Sequence, residues 1–383
     1  MKLLHMADLH IGKRVNGFSM LEEQRQVFAQ VIEIVQRERP DGILIAGDVY
    51  DKSQPSAEAV ELLDEFLTNL TKQGKPIFMI SGNHDSPERL GFGSRIMEKN
   101  GVFIAGVYNG TIQSEVLQDE YGPVHIYLLP FMKPAMLKPF FEEPIESYEE
   151  AVRLALSTAE IQEQDRNVLI AHQYVTSGAQ QPEQSDSESL SIGGLENVDA
   201  EAFSLFDYVA LGHLHGPQRM SRDTIRYAGS PIKYSFSEAG HQKSVTLLEL
   251  GKKGEIRIQL LPLTPIHDMR TVKGPIEELL KIGSEEPEGA EDYIQVILTD
   301  EEEIYDALGK LRQVYPNLMA LNFENSRSKR TEECKVPLLG ESVKKSPMEL
   351  FSQFYKGQNQ VELSREQIQV MEDTIRQAGG QEE

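Results

Sequence analysis

Two stretches decide the fold: Lys2–Lys13, KLLHMADLHIGK, and Gly42–Lys52, GILIAGDVYDK. In each, a short apolar run stops at a turn that carries acidic or imidazole side chains. Runs of four to six apolar residues bounded by turn residues read as strands buried on both faces. The same form returns at Pro76–Ile80 before Gly82-Asn83-His84-Asp85, at Val168–Ala171 before His172-Gln173, and at Tyr208–Leu211 before Gly212-His213-Leu214-His215, with a further run at Val102–Ala105. Between the runs, Leu21, Gln24, Val27, Phe28, Val31, Ile32 and Val35 recur at three and four residues, as do Val60, Leu63, Phe66, Leu67 and Leu70. That spacing predicts amphipathic helices, and strands alternating with helices predict an α/β core.

Four more runs, Thr111–Leu117, His125–Leu129, Arg226–Ala228 and Lys243–Leu250, have no helix between them. They are expected as hairpin or edge strands, in a sheet that is mixed or doubled. Pro262 and Pro265 mark a boundary, after which His267–Val272, a helix from Pro275, Tyr293–Leu298, a helix from Glu303 and Asn317–Phe323 spell a compact βαβαβ unit. The expected division is 1–265, 266–335 and 336–383. In the last part Ser346-Pro347 reads as a helix start. Ser364 with Gln367 reads as a capping box before Ile368, Met371 and Ile375. Met348, Leu350, Phe351, Phe354 and Tyr355 need cover, from the chain itself or from a partner. The segment Gln180–Ser191, rich in Gln, Ser and Glu without periodicity, is expected as a mobile surface loop.

Composition narrows the function. The 383 residues allow a sizeable core, and the longest apolar runs are too short to span a bilayer. Asp8 and His10 interrupt the apolar opening and no small-residue cleavage site follows, so a cytoplasmic protein is expected. The single Cys334 excludes a disulfide framework and multi-cysteine zinc clusters, leaving nitrogen and oxygen ligands for any metal. A net charge of −23 is the opposite of a stand-alone nucleic-acid binder. No G-x-x-x-x-G-K-[ST] stretch occurs, so the chain has no P-loop of its own.

Five of the nine histidines (His10, His84, His172, His213, His215) fall just after strands. In open α/β sheets the carboxyl ends of strands gather on one rim, where ligand sites form. In an extended segment residues i and i+2 face the same side, so Asp8 and His10 can grip one ion, and His213 and His215 can share a rim. Gly47, Gly82 and Gly212 remove bulk where the backbone bends inward. Asp48 is the best candidate to bridge two cations and so clamp a phosphoryl transfer. His5, His125, His241 and His267 lack such context and read as structural or surface residues.

The order D-x-H, G-D-x-x, G-N-H-D, H, G-H-x-H resembles the calcineurin-like metallophosphoesterases. The wording HMADLHIGK, GDVYDKSQPS, GNHDSPERL, ALGHLH and YAGSPIKYSFSE is similar to the DNA-nuclease branch of that family, the SbcD-type nucleases, and SPMELFSQFY extends the likeness to the tail. The resemblance implies a sandwich of two mixed sheets flanked by helices, with a small α/β capping domain and a C-terminal helical tail. It implies one metal held by Asp8, His10, Asp48 and His215 and another by Asp48, Asn83, His172 and His213, most suitably Mn(II). His84 would then be catalytic, uncoordinated above the phosphate. Where some relatives carry histidine this chain has Asp51, which reads either as a turn residue or as one that orients a ligand from behind.

The implied activity is metal-dependent exonuclease and endonuclease action on double-stranded DNA ends, in the 3′ to 5′ direction, and on hairpins, in DNA repair, recombination and replication. The implied partner is an SbcC-type coiled-coil ATPase bound by the C-terminal helices, with a homodimer, no membrane association, and no nucleotide bound by this chain alone. Lys13, Arg14, Lys52, Arg89 and Arg95 lie near the motif loops and could face phosphates or be solvated charges. Two other readings remain open: a stand-alone phosphodiesterase acting on nucleotides or small phosphodiesters, and a non-catalytic adaptor with structural metals. The retained His84 argues against the adaptor.

Overall fold

The computed structural model describes residues 1–142, 144–188, 196–285, 287–302, 304–325, 348, 351–352, 355 and 363–378. Its principal strands begin with β1 (Lys2–Met6), β2 (Gly42–Ala46), β3 (Ile77–Ile80), β4 (Val102–Ala105), β5 (Gln113–Asp119) and β6 (Gly122–Leu129). There follow β7 (Arg166–His172), β8 (Tyr208–Gly212), β9 (Gln218–Met220), β10 (Arg222–Tyr227), β11 (Ser244–Leu250) and β12 (Ile256–Pro262). They form two six-stranded sheets, ordered β12-β11-β1-β2-β3-β4 and β9-β10-β8-β7-β6-β5. In the first, β1 to β4 are parallel and β11 and β12 antiparallel; in the second, β6, β7, β8 and β10 are parallel.

The strict alternation of the strands explains why the sheets stack. Leu3, Leu44, Ala46, Phe78 and Ile80 of the first sheet pack against Val124, Ile126, Leu128, Val168, Ile170 and Ala210 of the second. The intervening residues turn outward: Leu4, Met6, Ile43, Ile45, Ile77 and Met79 meet helices α1 (Leu21–Glu38) and α2 (Ala57–Thr71). Leu169, Ala171, Val209 and Leu211 meet α3 (Tyr148–Ser157). Every central strand is therefore covered on both faces, as its unbroken apolar run requires. His5 sits inside this sandwich, with Nδ1 3.0 Å from the Tyr208 hydroxyl and Nε2 3.2 Å from the Leu211 carbonyl.

The four runs expected as hairpin or edge strands are hairpin strands: β5 pairs antiparallel with β6, β9 with β10 and β11 with β12. Of the strands in those runs only β5 is at an edge; β6, β10 and β11 lie inside their sheets, whose edges are β4, β5, β9 and β12. Each hairpin gives one strand to a partner distant in sequence, as when Leu248 of β11 pairs with Leu3 of β1. The missed edge strand β12 alternates Ile256, Ile258 and Leu260 with polar residues instead of forming an apolar run.

Beyond Pro265, β13 (Met269–Gly274), α4 (Ile276–Glu285), β14 (Tyr293–Leu298), α5 (Ala307–Arg312) and β15 (Leu318–Phe323) build the expected βαβαβ unit on a parallel three-stranded sheet. It has its own core around Leu279, Ile294, Val296 and Leu311. Glu23 of α1, 1% exposed, ties it to the sandwich by accepting from Ile266 N and His267 Nδ1, both at 2.7 Å, and from the Tyr293 hydroxyl at 3.3 Å. In α6 (Arg365–Ala378) the capping box forms, Ser364 N to Gln367 Oε1 at 2.9 Å and Gln367 N to Ser364 Oγ at 3.3 Å. Cys334, Ser346-Pro347, Leu350 and Phe354 lie outside the described residues. Among the described residues no helix is long and apolar enough to cross a membrane.

Phe66 is 1% exposed and stacks on Phe28 at 4.5 Å between α1 and α2. Phe66→Ala should cost about 3–5 kcal/mol through lost burial and the cavity left behind. Denaturant unfolding measures it; a loss under about 1 kcal/mol would mean that the helix layer repacks freely.

Candidate metal centre

The parallel strands β1, β2 and β3 of one sheet and β7 and β8 of the other end on the same rim of the sandwich, and there the sheets touch. His172 Nδ1 donates to the Ala46 carbonyl at 2.8 Å. Nothing larger than glycine fits around this contact: a Cβ on Gly212 would lie 1.9 Å from Ala46 O, and one on Gly82 2.1 Å from Asp48 Oδ1. Of the eight described non-glycine residues with positive φ, four are here: Asp8 (53°), His10 (42°), Asp48 (48°) and His213 (106°). Such backbone costs about 1–3 kcal/mol per residue and persists only where surroundings over-determine it. The restraints are Asp8 N to Gly47 O at 3.1 Å, His10 N to Asp48 O at 2.9 Å and His213 N to Asp8 Oδ1 at 2.9 Å.

The side chains converge in two adjoining groups. In one, donor atoms of Asp8, His10 and His215 lie within 4.8 Å of one another, with the two Nε2 atoms 3.1 Å apart. In the other, Asn83 Oδ1 is 3.0 Å from His172 Nε2 and 2.9 Å from His213 Nδ1. Asp48 faces both, its Oδ2 3.6 Å from His10 Nε2 and 3.3 Å from His172 Nε2. Asp8 Oδ2 is buried without a hydrogen-bond partner. An orphaned buried carboxylate oxygen among imidazole nitrogens fits a divalent cation, and the donors, oxygen and nitrogen without thiolate, suit a hard or borderline metal. His84 stands half-buried at the mouth, its ring 4.8 Å from that of His10. Its backbone N donates to Asp48 Oδ1 at 2.8 Å and its Nδ1 to the Asp51 carbonyl at 3.0 Å, so Nε2 is the ring nitrogen not engaged by that bond.

Burial sets the electrostatics, with Asp48 and His172 as the exceptions. Burial pushes the Asp8 carboxyl well above the usual range and drives His10 well below it; it also lowers His213 to about 3, helped by the charge of His172. Burial would also raise Asp48, but the charge and hydrogen bond of His172, then His10, outweigh it and hold Asp48 well below the usual range. In return burial's downward pull on His172 is overcome by Asp48 and Asp8, which raise it to about 9.

Several residues that pattern reading passed over support the rim. Gln24 of α1 donates through Nε2 to the Leu9 and His10 carbonyls at 3.1 and 2.8 Å and accepts from Gly12 N at 3.0 Å. Asp85 clamps the turns by accepting from Val49 N, Tyr50 N and Gly82 N. The segment Gln180–Ser191, expected as a surface loop, is a loop over its described part and makes specific contacts to the rim. Glu183 N donates to Gln218 Oε1, Asp186 N to Ser237 Oγ, and Glu188 Oε1 accepts from His215 N at 2.6 Å. Gln180, Gln181, Glu183, Gln184 and Asp186 stay exposed, while Ser185 is buried and Ser187 and Glu188 are half-buried against the site. Of these residues Asp85 lies inside the quoted Gly82-Asn83-His84-Asp85 turn; Gln24, Glu183, Asp186 and Glu188 carried no signal of a site.

The basic residues are dispersed. Lys13 Nζ pairs with Asp51 Oδ1 at 2.9 Å and lies over the Tyr234 ring. Asp51 Oδ1 is also 3.9 Å from His10 Nδ1, placing it behind that ring. Arg14 and Lys52 line one cleft with Asp51 and Gln54, about 520 Å³ in volume and opening beside Ile11 and Gly12. Arg89 is exposed on the short helix Pro87–Leu90, and Arg95 lines a different cleft with Glu88 and Glu98.

Residues 1–217 match the model of the calcineurin-like phosphoesterases, and residues 265–359 match one described as the type 5 capsule protein repressor C-terminal domain. The SbcD subunit of the nuclease SbcCD from Staphylococcus epidermidis is 35% identical over 386 residues, covering 98% of this chain and 97% of the relative. Among solved structures, a dimetal phosphatase from Danio rerio aligns over 69% of this chain and 99% of its own, at 14% identity and TM-score 0.38. The phosphopantetheinyl hydrolase PptH from Mycobacterium tuberculosis aligns over 69% and 96%, at 15% identity and TM-score 0.39. Those two likenesses are too loose to bear on the site. With the phosphoesterase model spanning more than half the chain and the nuclease relative matching end to end, the chain belongs to the calcineurin-like metallophosphoesterases, in the family of SbcD nucleases.

Proposed function

We propose that this protein is a two-metal DNA phosphodiesterase, the nuclease component of an SbcCD-type complex acting on double-stranded ends and hairpins in DNA repair and recombination. The observation that carries the reading is the convergence of Asp8, His10, Asp48, Asn83, His172, His213 and His215 on one rim, in a chain colinear with an SbcD nuclease. Asp8, His10 and His215 would hold one cation, and Asn83, His172 and His213 the other, with Asp48 shared between them. Mn(II) suits an imidazole-rich oxygen-and-nitrogen set. Bound cations would polarise the scissile phosphodiester and activate water at neutral pH.

The remaining chemistry belongs to the chain. Asp48 stays ionised because His172 and His10 hold it so, which keeps a bridging anion ready. His84, with Nδ1 committed to the Asp51 carbonyl, would turn Nε2 to the leaving oxygen and, in its imidazolium form, give it that nitrogen's proton. Asp51 anchors both Lys13 and the His84 ring. Arg14 and Lys52 in their cleft, with Arg89 outside it, would meet DNA phosphates; with a net charge of −23, most of the DNA affinity must come from the partner.

The sandwich to residue 265 is the nuclease domain, 266–335 the capping domain, and 336–383 the linker and helices that bind the SbcC-type ATPase. Dimerisation and a cytoplasmic location complete the reading. Asp48→Ala and His84→Ala should each lower Mn(II)-dependent cleavage of a blunt, end-labelled duplex at least about 100-fold, with metal binding retained in the His84 variant. Cleavage of small phosphodiesters but no DNA, with or without a coiled-coil ATPase and ATP, would overturn the DNA assignment in favour of the stand-alone enzyme. Deleting residues from Ser346 onward should abolish co-purification with the ATPase while leaving Mn(II) binding intact; a complex that survives the deletion would refute the tail interface.

A further inference from the structure

His215 differs from His172 and His84 in what stands behind its ring. His172 and His84 each turn Nδ1 to a backbone carbonyl, of Ala46 and Asp51. His215 Nδ1 instead lies 2.7 Å from a side chain, Ser187 Oγ. That hydroxyl is also 2.6 Å from Glu238 Oε1, and Glu238 Oε2 is 2.6 Å from Lys243 Nζ. Glu238 and Lys243 are 0% and 3% exposed, so the ion pair is sealed from solvent.

Proton inventory gives this chain a direction. A carboxylate facing a buried ammonium only accepts, so the one Ser187 proton goes to Glu238 Oε1. Ser187 Oγ can then only accept from the imidazole, which places the His215 proton on Nδ1. The lone pair is left on Nε2, the atom 3.1 Å from His10 Nε2 in the group with Asp8. The same elements hold the His215 backbone: Glu188 Oε1 accepts from its N at 2.6 Å and Lys243 Nζ donates to its O at 2.8 Å.

We propose that Ser187 is a positioning residue that fixes the tautomer of His215, backed by the Glu238–Lys243 pair, and so sets the divalent-cation affinity of the Asp8–His10–His215 group. The proposal rests on the metal-centre reading above. Hydrogen-bond partners behind a ligating histidine are typically worth about 10–100-fold in metal affinity. Ser187 is half-buried and has no part in the sandwich core, so its loss removes a proton acceptor without opening the core.

The test is calorimetric titration of the metal-free full-length protein with Mn(II) alone, comparing wild type, Ser187→Ala and the equal-sized pair Ser187→Thr and Ser187→Val. Wild type and Ser187→Thr should bind two ions. Ser187→Ala and Ser187→Val should keep one site unchanged and lose about 10–100-fold at the other, and at two equivalents of Mn(II) their EPR should shift from a coupled pair towards isolated six-line ions. Wild-type affinity at both sites in the Val variant would overturn the positioning role and leave the nuclease reading standing. A wild-type chain that binds no Mn(II) would overturn both. Equal weakening in Thr and Val would mean packing, not the hydroxyl, and would also overturn it.

Discussion

The hydrogen bond from His172 Nδ1 to the Ala46 carbonyl is where the two sheets meet, and the site's geometry depends on it. It spans 126 residues of sequence, joining the carboxyl end of a strand in one sheet to that of a strand in the other. With the rims in contact, the turns after five strands must share a volume too small for side chains on Gly82 or Gly212. The left-handed backbone at Asp8, His10, Asp48 and His213 follows from the same crowding. Apolar alternation in the strands stacks the sheets; the strained rim is what that stacking makes available for chemistry.

Burial without compensation would make such a rim unstable. Asp8 and Asp48 are 0% and 2% exposed, and His10, His172 and His215 are equally enclosed. Asp48 and His172 answer each other, one held ionised and the other held protonated up to about pH 9. Asp8 has an oxygen that nothing in the chain satisfies. Cations binding between these groups would relieve that deficit, and His172, the imidazole held protonated, would give up its proton as they bind. Adjacent residues of α1 divide the mechanical work: Glu23 grips the unit beyond Pro265 while Gln24 grips the Leu9–Gly12 turn. The position of that unit is thereby tied to the loop that carries His10.

Much of this was legible in the sequence because strand-end turns are local. An apolar run followed by Asp-x-His or Gly-Asn-His-Asp states both the strand and where its polar residues emerge, and the structure brings every such residue to one rim. Sheet order was not legible. Lys243–Leu250 reads the same whether it lies at an edge or, as here, between β1 and β12, because β12 is its local hairpin partner while β1 is chosen by contacts across more than 200 residues. The supporting residues were hidden for the same reason. Ser187 and Glu188 sit in a stretch whose composition resembles a solvated loop, and Gln24 occupies an ordinary helical position. What distinguishes them is a partner far away in sequence, which periodicity and spacing do not record.

The most direct measurement is anomalous diffraction at the manganese edge from crystals grown with Mn(II). Two peaks about 3.5–4 Å apart are expected, with Asp48 between them, His215 on one side, His172 and His213 on the other, and the His84 ring touching neither. A single peak, or a peak ligated by His84 in place of Asn83, would contradict the two-metal assignment and with it the proposed division between metal ligands and proton donor.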